Sequence, residues 1–194
     1  AGAGALSITT RAPSKTFGGL ISGSYGSFHR TRGFLCIDSC EIGHTGITSY
    51  ASFSNTHSDA WRGSGDSDRT HMECRAQKLL GNRSSIDLFA GYNHSEYYLN
   101  RYPTLANFQN DKHGRPVSTP LNYTAEFNAA SPGNYYGVRG TDKDQFYISA
   151  PLKSALNKTF TLNISPYYER SDITLNSASR MQEGRTYAGT ALQR

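Results

Sequence analysis

Aromatic side chains are the most prominent candidates for binding chemistry in this chain, and they gather near the ends of predicted strands. Their rings could stack on a flat ligand, or they could form a band where a membrane meets water. The strand-end residues Tyr97 and Tyr98 favour the interfacial band, whereas both interpretations stay open for the loop residues Trp61 and Tyr102. The candidate ligand-binding residues are Trp61, Tyr102, Tyr135 and Tyr136.

Three acidic residues have a spacing that is compatible with a calcium loop. Asp66, Asp68 and Glu73 could offer carboxylate oxygens, which Ca²⁺ prefers. The stretch lacks the glycine and the final bidentate glutamate of an EF-hand loop. A solvated loop is therefore favoured, and no metal site is predicted.

The cysteines do not suggest a disulfide framework or a metal site. Cys36 and Cys40 are four residues apart on one predicted strand, too far for a disulfide while that strand is extended. Cys74 is the third, and no CxxC spacing is present. We expect three free thiols.

The sequence offers little for covalent catalysis. It contains no GxSxG, HExxH or P-loop motif. The Gly2-Ala-Gly4 run lacks the third glycine and the following helix of a dinucleotide site. We therefore expect a protein that is not an enzyme and that uses no cofactor.

Bulk composition excludes some classes of protein. The chain has 194 residues, is 36% hydrophobic and has a mean hydropathy of −0.59. It has no apolar run near the roughly 18 residues that a spanning helix requires, which excludes an α-helical membrane protein. The net charge of +5 is scattered along the chain, so no nucleic-acid partner is expected.

The stretch of residues 84–98 shows the clearest periodicity. Ile86, Leu88, Ala90 and Tyr92 alternate with mostly polar neighbours, and a period of two indicates a β-strand. The stretch is longer than the usual strand of about 5–6 residues. It reaches or exceeds the roughly 9–11 tilted residues that cross a bilayer.

Similar alternation predicts six further barrel strands and a short strand at residues 5–10. Proline 166 should interrupt the last barrel strand with a bulge, and no clear helix is predicted. In the strand of residues 69–80, one face is polar and is expected to line water. Its members are His71, Glu73, Arg75 and Gln77. The other predicted barrel strands span residues 19–28, 31–42, 45–56, 142–152 and 158–170.

The connections between these strands differ systematically in length. Those at residues 43–44, 81–83 and 154–157 are short, and the first should be a two-residue hairpin loop. Those at residues 59–68 and 100–140 and after residue 171 are long, and the tight turn near His29 is the exception. Long and short connections at opposite ends are typical of an outer-membrane barrel. We thus predict an all-β, antiparallel, up-and-down transmembrane β-barrel, of which this chain supplies about seven strands.

Residues 2–13, Gly-Ala-Gly-Ala-Leu-Ser-Ile-Thr-Thr-Arg-Ala-Pro, resemble the segment that closes the plug domain of TonB-dependent outer-membrane receptors. Residues 19–28 look like the first barrel strand of that family. The resemblance implies that residues 1–13 are the end of a plug and its linker, and that residues 14–194 are the N-terminal part of a 22-stranded barrel. The chain would then be a fragment.

The same resemblance implies a function in the bacterial outer membrane. Such a receptor binds a scarce small molecule, often a ferric siderophore, and imports it with energy from an inner-membrane complex. That complex would act through a plug that this chain does not contain, and the barrel would contact outer-membrane lipid. The alternative from another class is a small self-contained β-barrel or soluble β-domain that acts as an adhesin or carbohydrate-binding module.

Overall fold

The computed structural model describes residues 10–81 and 83–176, most of which belong to one antiparallel β-sheet. The predicted strand at residues 5–10 lies almost entirely outside the described residues. The strands are β1 (Phe17–Gly26), β2 (Arg30–Glu41), β3 (Ile47–Asp59), β4 (Asp66–Leu79), β5 (Ser85–Tyr98), β6 (Gly140–Ser149), β7 (Leu152–Ala155), β8 (Thr161–Ile164) and β9 (Tyr167–Leu175). The all-β, antiparallel prediction is confirmed.

The strands follow one another in sequence order, as in an up-and-down sheet. The main path is β1-β2-β3-β4-β5-β6-β9, while β7 pairs with β5 and β8. Two long strands are each interrupted at a proline, β6 and β7 at Pro151 and β8 and β9 at Pro166. The expected irregularity at Pro166 is therefore present. The described sheet is open, with β1 at one edge and β9 at the other.

One face of the sheet is apolar, and no described part of the chain covers it. Leu35, Phe53, Met72, Tyr92 and Phe146 are cross-strand neighbours on five successive strands. Each keeps between 37% and 45% of its surface exposed. The next residue in this row is Arg170 on the edge strand β9, so the apolar row stops at β6. We call this side the apolar face; it also includes Ile21, Ile37, Ala51, Cys74, Ile86, Leu88, Ala90, Ile148 and Leu162.

The opposite side, the polar face, has a very different composition. His71, Glu73, Arg75 and Gln77 all lie on it, as predicted from their spacing. Residues 10–14 also lie against this side, where Arg11 contacts Asp38. Other members of the polar face are Arg30, Arg32, Ser52, Thr56, Arg69, Asp87, Gly91, Asn93, Ser95, Lys143 and Tyr147.

Connections of different length lie at opposite ends of the sheet. The long-loop end holds residues 27–29, 60–65 and 99–139, and the short-turn end holds residues 42–46, 80–84 and 156–160. The two-residue hairpin predicted at residues 43–44 is wrong. That connection spans residues 42–46 because Thr45 and Gly46 also leave the ladder, with Gly46 at φ +70°. The strand limits also differ, since β4 begins at Asp66 and β9 extends to Leu175.

The prediction that the chain has no helix is also wrong. Helix α1 (Leu105–Lys112) lies in the loop of residues 99–139, followed by 3₁₀ turns at Pro132–Asn134 and Tyr136–Arg139. The Thr104 hydroxyl caps α1 by accepting from the Asn107 N–H at 3.2 Å. Among the described residues, no helix is both long enough and apolar enough to span a membrane.

The ring of Tyr147 occupies the space above Gly91, and this contact is testable. A Cβ at position 91 would overlap that ring, which would then have to leave its position 5.4 Å from the ring of Phe89. We expect Gly91→Ala to lower the free energy of unfolding by about 1 kcal/mol, the value of such an aromatic pair. Urea denaturation of the refolded chain would measure the change.

Gly33→Ala is the matched control, because a Cβ at position 33 would meet no atom within 4 Å. That substitution should be neutral or stabilising by up to about 1 kcal/mol, since alanine has less backbone freedom to lose. In a Tyr147→Ala background, Gly91→Ala should no longer destabilise the chain. A loss of similar size with and without Tyr147 would contradict the proposed overlap.

Candidate functional site

The N-terminal segment is held to the polar face by an arginine, and this contact positions the first part of the site. Arg11 donates from both terminal nitrogens to the two carboxylate oxygens of Asp38, at 3.0 and 2.9 Å. The guanidinium lies 4.3 Å from the ring centre of Tyr50, and Ser14 N–H donates to Asp38 at 2.9 Å. The bond to Asp38 raises the pKa of Arg11 above its ordinary value, so this cation persists at physiological pH.

A second arginine reaches the same segment from the neighbouring strands. Arg75 donates to Asp87 at 2.9 and 2.7 Å, and its third nitrogen donates to the main-chain oxygen of Arg11 at 2.7 Å and that of Thr10 at 3.1 Å. Gln77 donates to the same Asp87 oxygen at 2.9 Å. Because Asp87 is only 8% exposed, these donors are what allow its carboxylate to be buried. Arg75 thus links β4, β5 and the N-terminal segment.

The remaining predicted lining residues lie one row further toward the long-loop end. Glu73 accepts a hydrogen bond from the hydroxyl of Tyr50, and the Nε2 atom of His71 lies 3.6 Å from Glu73. The Nδ1 atom of His71 is buried without a partner in the described part of the chain. The four predicted residues therefore form a single polar surface, of which the part nearest the short-turn end is neutralised by ion pairs.

A separate cleft at the long-loop end contains two of the predicted aromatic residues. Trp61 and Tyr102 come from different loops and line a cleft of about 600 Å³. Both are well exposed, at 61% and 84% of their surfaces. Arg62 and Arg101 also line this cleft, so it presents flat apolar rings beside cationic groups.

Polar contacts hold the two loops of this cleft together. With the Asn100 amide assigned so that its oxygen faces Trp61, it accepts from Trp61 Nε1 and donates to the main-chain oxygen of Arg62, both at 3.0 Å. Arg62 in turn donates to the main-chain oxygen of Arg101, and its guanidinium lies 5.0 Å from the Trp61 ring centre. Arg101 donates to Asn134 at 2.8 Å. The rings are thus presented on a braced support.

The other two predicted aromatic residues do not line this cleft. Tyr136 packs on Tyr98 at 4.8 Å and on Tyr135 at 4.9 Å between ring centres, and Tyr135 packs on Phe127 at 5.9 Å. Burial, followed by the nearby Tyr135, raises the pKa of Tyr136. Tyr135 and Tyr136 therefore stabilise the loop that supports the cleft, and the structure does not bring them into the cleft with Trp61 and Tyr102.

The acidic residues do not converge in the way that a calcium loop would require. Asp66 and Asp68 lie on the side of the apolar face, while Glu73 lies on the polar face. The structure instead groups His57 with Asp66 and Asp68, and His94 with Asp142 and Asp144, with ligand atoms within 4.8 Å of one another. Each histidine is hydrogen-bonded to an aspartate, at 2.9 and 3.1 Å, which accounts for the short spacing. The three cysteines are free, as expected.

Sequence reasoning missed the residues that depend on long-range contacts. Arg11 and Asp38 are separated by 27 positions, and Arg62 and Arg101 by 39. The only local signal was the placement of Arg11 in the plug-like motif and of Arg101 beside Tyr102. Taken together, the site can bind and orient a ligand at the long-loop end while it retains the N-terminal segment on the polar face.

The Arg11–Asp38 contact predicts how firmly that segment is held. Asp38→Asn should weaken the attachment by about 1–2 kcal/mol, because a charge-assisted hydrogen-bond pair is lost while Arg11 remains partly solvated. Trypsin should then cleave after Arg11 and Lys15 about tenfold faster. Asp172→Asn, which removes the exposed partner of Arg170, is the control. Equal cleavage rates in the two variants would argue against retention by Asp38.

Comparison of the chain with protein-family models, with curated proteins and with solved structures gave no match. Functional inference therefore depends on the geometry of the two faces and of the long-loop end.

Proposed function

We propose that this sheet is part of an outer-membrane β-barrel, with its apolar face toward lipid and its polar face toward an aqueous interior. The observation that carries the proposal is the uncovered apolar face. Cys36, Tyr50 and Val138 are the only buried hydrophobic residues in the described part of the chain, so the sheet has almost no protein core. A continuous apolar surface of this kind requires a partner or a membrane.

Strand length supports the same proposal. Strands β2 to β5 contain 12, 13, 14 and 14 residues. A bilayer requires about 9–11 tilted residues, so each of these strands would also extend beyond the hydrocarbon region. The sorting of loops to one end and turns to the other is what barrel proteins of the outer membrane share.

The N-terminal segment supports a more specific interpretation. In TonB-dependent receptors, which residues 2–13 resemble, a plug domain fills the barrel interior. A linker from such a plug would have to cross the interior side of the first strands. Residues 10–14 occupy that side here, where Asp38 and Arg75 hold them.

We infer that the barrel is completed by further strands at the edges of β1 and β9. Unpaired main-chain groups at these edges cannot remain exposed to hydrocarbon, where each would cost several kcal/mol. The proposed function is uptake of a scarce small molecule, such as a ferric siderophore, driven through a plug by an inner-membrane complex. Trp61 and Tyr102 would contact the ligand at the outer surface, and no nucleic acid or covalent step is involved.

Lipid contact predicts unequal effects of arginine on neighbouring positions. Phe53→Arg, in the middle of the apolar face, should lower stability in lipid vesicles by about 2–4 kcal/mol, because the charge would enter hydrocarbon. The adjacent Ser52→Arg, on the polar face, should change stability by less than about 1 kcal/mol. Reversible unfolding of vesicle-inserted chain in urea would measure both, and equal losses would contradict lipid on one side only.

The same proposal predicts the behaviour of the isolated chain in solution. The purified chain should require detergent or lipid to remain dispersed, because none of the described residues covers its apolar face. Sedimentation in plain buffer and in dodecyl maltoside would compare the two conditions. A monodisperse monomer in plain buffer would instead favour a soluble β-domain that binds a ligand through its exposed aromatic cleft.

A further inference from the structure

Cations and hydroxyl groups alternate along one row of the polar face near the long-loop end. Arg32, Thr56, Arg69, Ser95 and Lys143 are successive cross-strand neighbours on β2 to β6. Adjacent strands are about 4.8 Å apart, so the cations recur roughly every 10 Å across the sheet. A side-chain hydroxyl lies between each pair of cations.

Two of these cations, Arg32 and Arg69, border a cleft in the polar face. Its volume is about 520 Å³, and it contains three arginines, one histidine and four hydroxyl groups but no carboxylate. Every lining residue is therefore either a hydrogen-bond donor or able to become one. The lining residues are Arg30, Arg32, Ser54, Thr56, Ser58, Ser67, Arg69 and His71.

These cations have no compensating anions within the described part of the chain. Arg30, Arg32 and Lys143 form no ion pair there, and the one side-chain bond of Arg69 goes to the amide oxygen of Asn93 at 2.6 Å. His71 contributes the unpartnered Nδ1 atom described above. The cleft therefore concentrates positive charge, and on the polar face the carboxylate of Glu73 approaches it at 3.6 Å from the Nε2 atom of His71.

In the rows of strand residues nearest the long-loop end, the carboxylates lie on the side of the apolar face. They alternate with the cations along the strands, as Asp68 does with Arg69 and Asp142 with Lys143, so the sheet backbone separates the two signs. The carboxylates on the side of the apolar face are Asp59, Asp66, Asp68, Glu96, Asp142, Asp144 and Asp172. Near the short-turn end, by contrast, Arg11 and Arg75 are paired with aspartates on the polar face itself.

A smaller cleft connects this region to the aromatic one. It has a volume of about 260 Å³ and shares Arg30, Ser58 and Ser67 with the cationic cleft. It also shares Trp61 and Asn100 with the aromatic cleft. Asp59 and Asp66 also line this smaller cleft, so a ligand received between the loops would pass these two carboxylates before it meets Arg32 and Arg69 on the polar face.

We propose that the cationic cleft binds a small polyanion, a ligand that carries two or more phosphate or carboxylate groups. Arg32 and Arg69 bind its anionic groups through guanidinium donors, and Thr56 donates between them. Arginine is suited to this role because its planar fork matches both phosphate and carboxylate oxygens. This inference rests on the proposed uptake function, because it assigns the class of ligand that is taken up. Anion binding itself requires only the residues of the polar face.

Isothermal titration calorimetry of the full chain in dodecyl maltoside would test this assignment. The probes are tripolyphosphate and citrate, titrated separately so that phosphate and carboxylate are distinguished. At least one should bind, and its affinity should fall as sodium chloride is raised from 50 to 500 mM because salt screens the attraction. Arg32→Gln and Arg69→Gln should each weaken binding about tenfold, the effect of losing one charge-assisted contact.

Arg170→Gln is the matched control, because it removes an arginine from the opposite face and should leave affinity unchanged. Thr56→Asp is a second variant, which distinguishes loss of binding from misfolding. It places a carboxylate between Arg32 and Arg69, which should preserve the fold by ion pairing and abolish binding. Absence of binding by both probes, or equal losses in Arg32→Gln and Arg170→Gln, would overturn the proposal.

The outcome is separable from that of the proposed function. Vesicle insertion with no anion binding would reject the polyanion site and leave the barrel proposal intact. Anion binding by a chain that stays monomeric in plain buffer would reject the membrane barrel and leave the site intact.

Discussion

The constraint on which this structure depends is an apolar layer of side chains against which no described part of the chain packs. In a water-soluble sheet, at least one face is covered by a helix layer or a second sheet, because the hydrophobic effect is the main favourable term in folding. Here the described residues include no fully buried large side chain. Backbone pairing fixes the strands relative to one another, but the apolar face must find its cover in its surroundings.

On the polar face, buried charged groups need hydrogen-bond partners, and part of this face supplies them. Near the short-turn end, the buried carboxylates of Asp38 and Asp87 each receive several donors, so removal from water is offset by charge-assisted hydrogen bonds. The N-terminal segment provides some of these donors and in return receives bonds from Arg75 to its main chain. Near the long-loop end, Arg30, Arg32 and Lys143 form no ion pair with any described residue. The polar face is therefore neutralised by ion pairs near the short-turn end and is cationic near the long-loop end.

Periodicity was sufficient to predict the strands and their faces, because a period of two assigns every residue to a side. The assignment of His71, Glu73, Arg75 and Gln77 to one face followed directly. The rule did not apply to Asp66 and Asp68, which were predicted to lie in a loop; only the observed start of β4 at Asp66 places them on the side opposite Glu73. Helix α1 was beyond prediction because it is short and its sequence is weakly amphipathic. It is held by tertiary contacts such as those of the buried Asn107 with Ser118 and Thr119.

The functional arrangement was less accessible from sequence than the fold. Aromatic residues could be recognised as candidates, but Trp61 and Tyr102 meet only because two loops of different length fold over the same end. Likewise, the sequence shows scattered positive charge, and only strand register converts Arg32, Arg69 and Lys143 into a row. Loop conformation and register are long-range properties that single residues do not specify.

The two proline interruptions have a mechanical consequence. The main-chain oxygen of Pro151 accepts from Asp87 N–H at 2.9 Å, and that of Pro166 accepts from Ala150 N–H at 3.0 Å. Because a proline has no N–H to return to the same neighbouring strand, one ladder hydrogen bond is missing beside each proline. The two gaps in the ladder lie close together, because Pro166 pairs with Ala150, the residue before Pro151. Irregularities of this kind increase local twist and bend a sheet. The hairpin of β7 and β8, which contacts the rest of the sheet through Ser85 and Ile86, therefore begins and ends at a proline break.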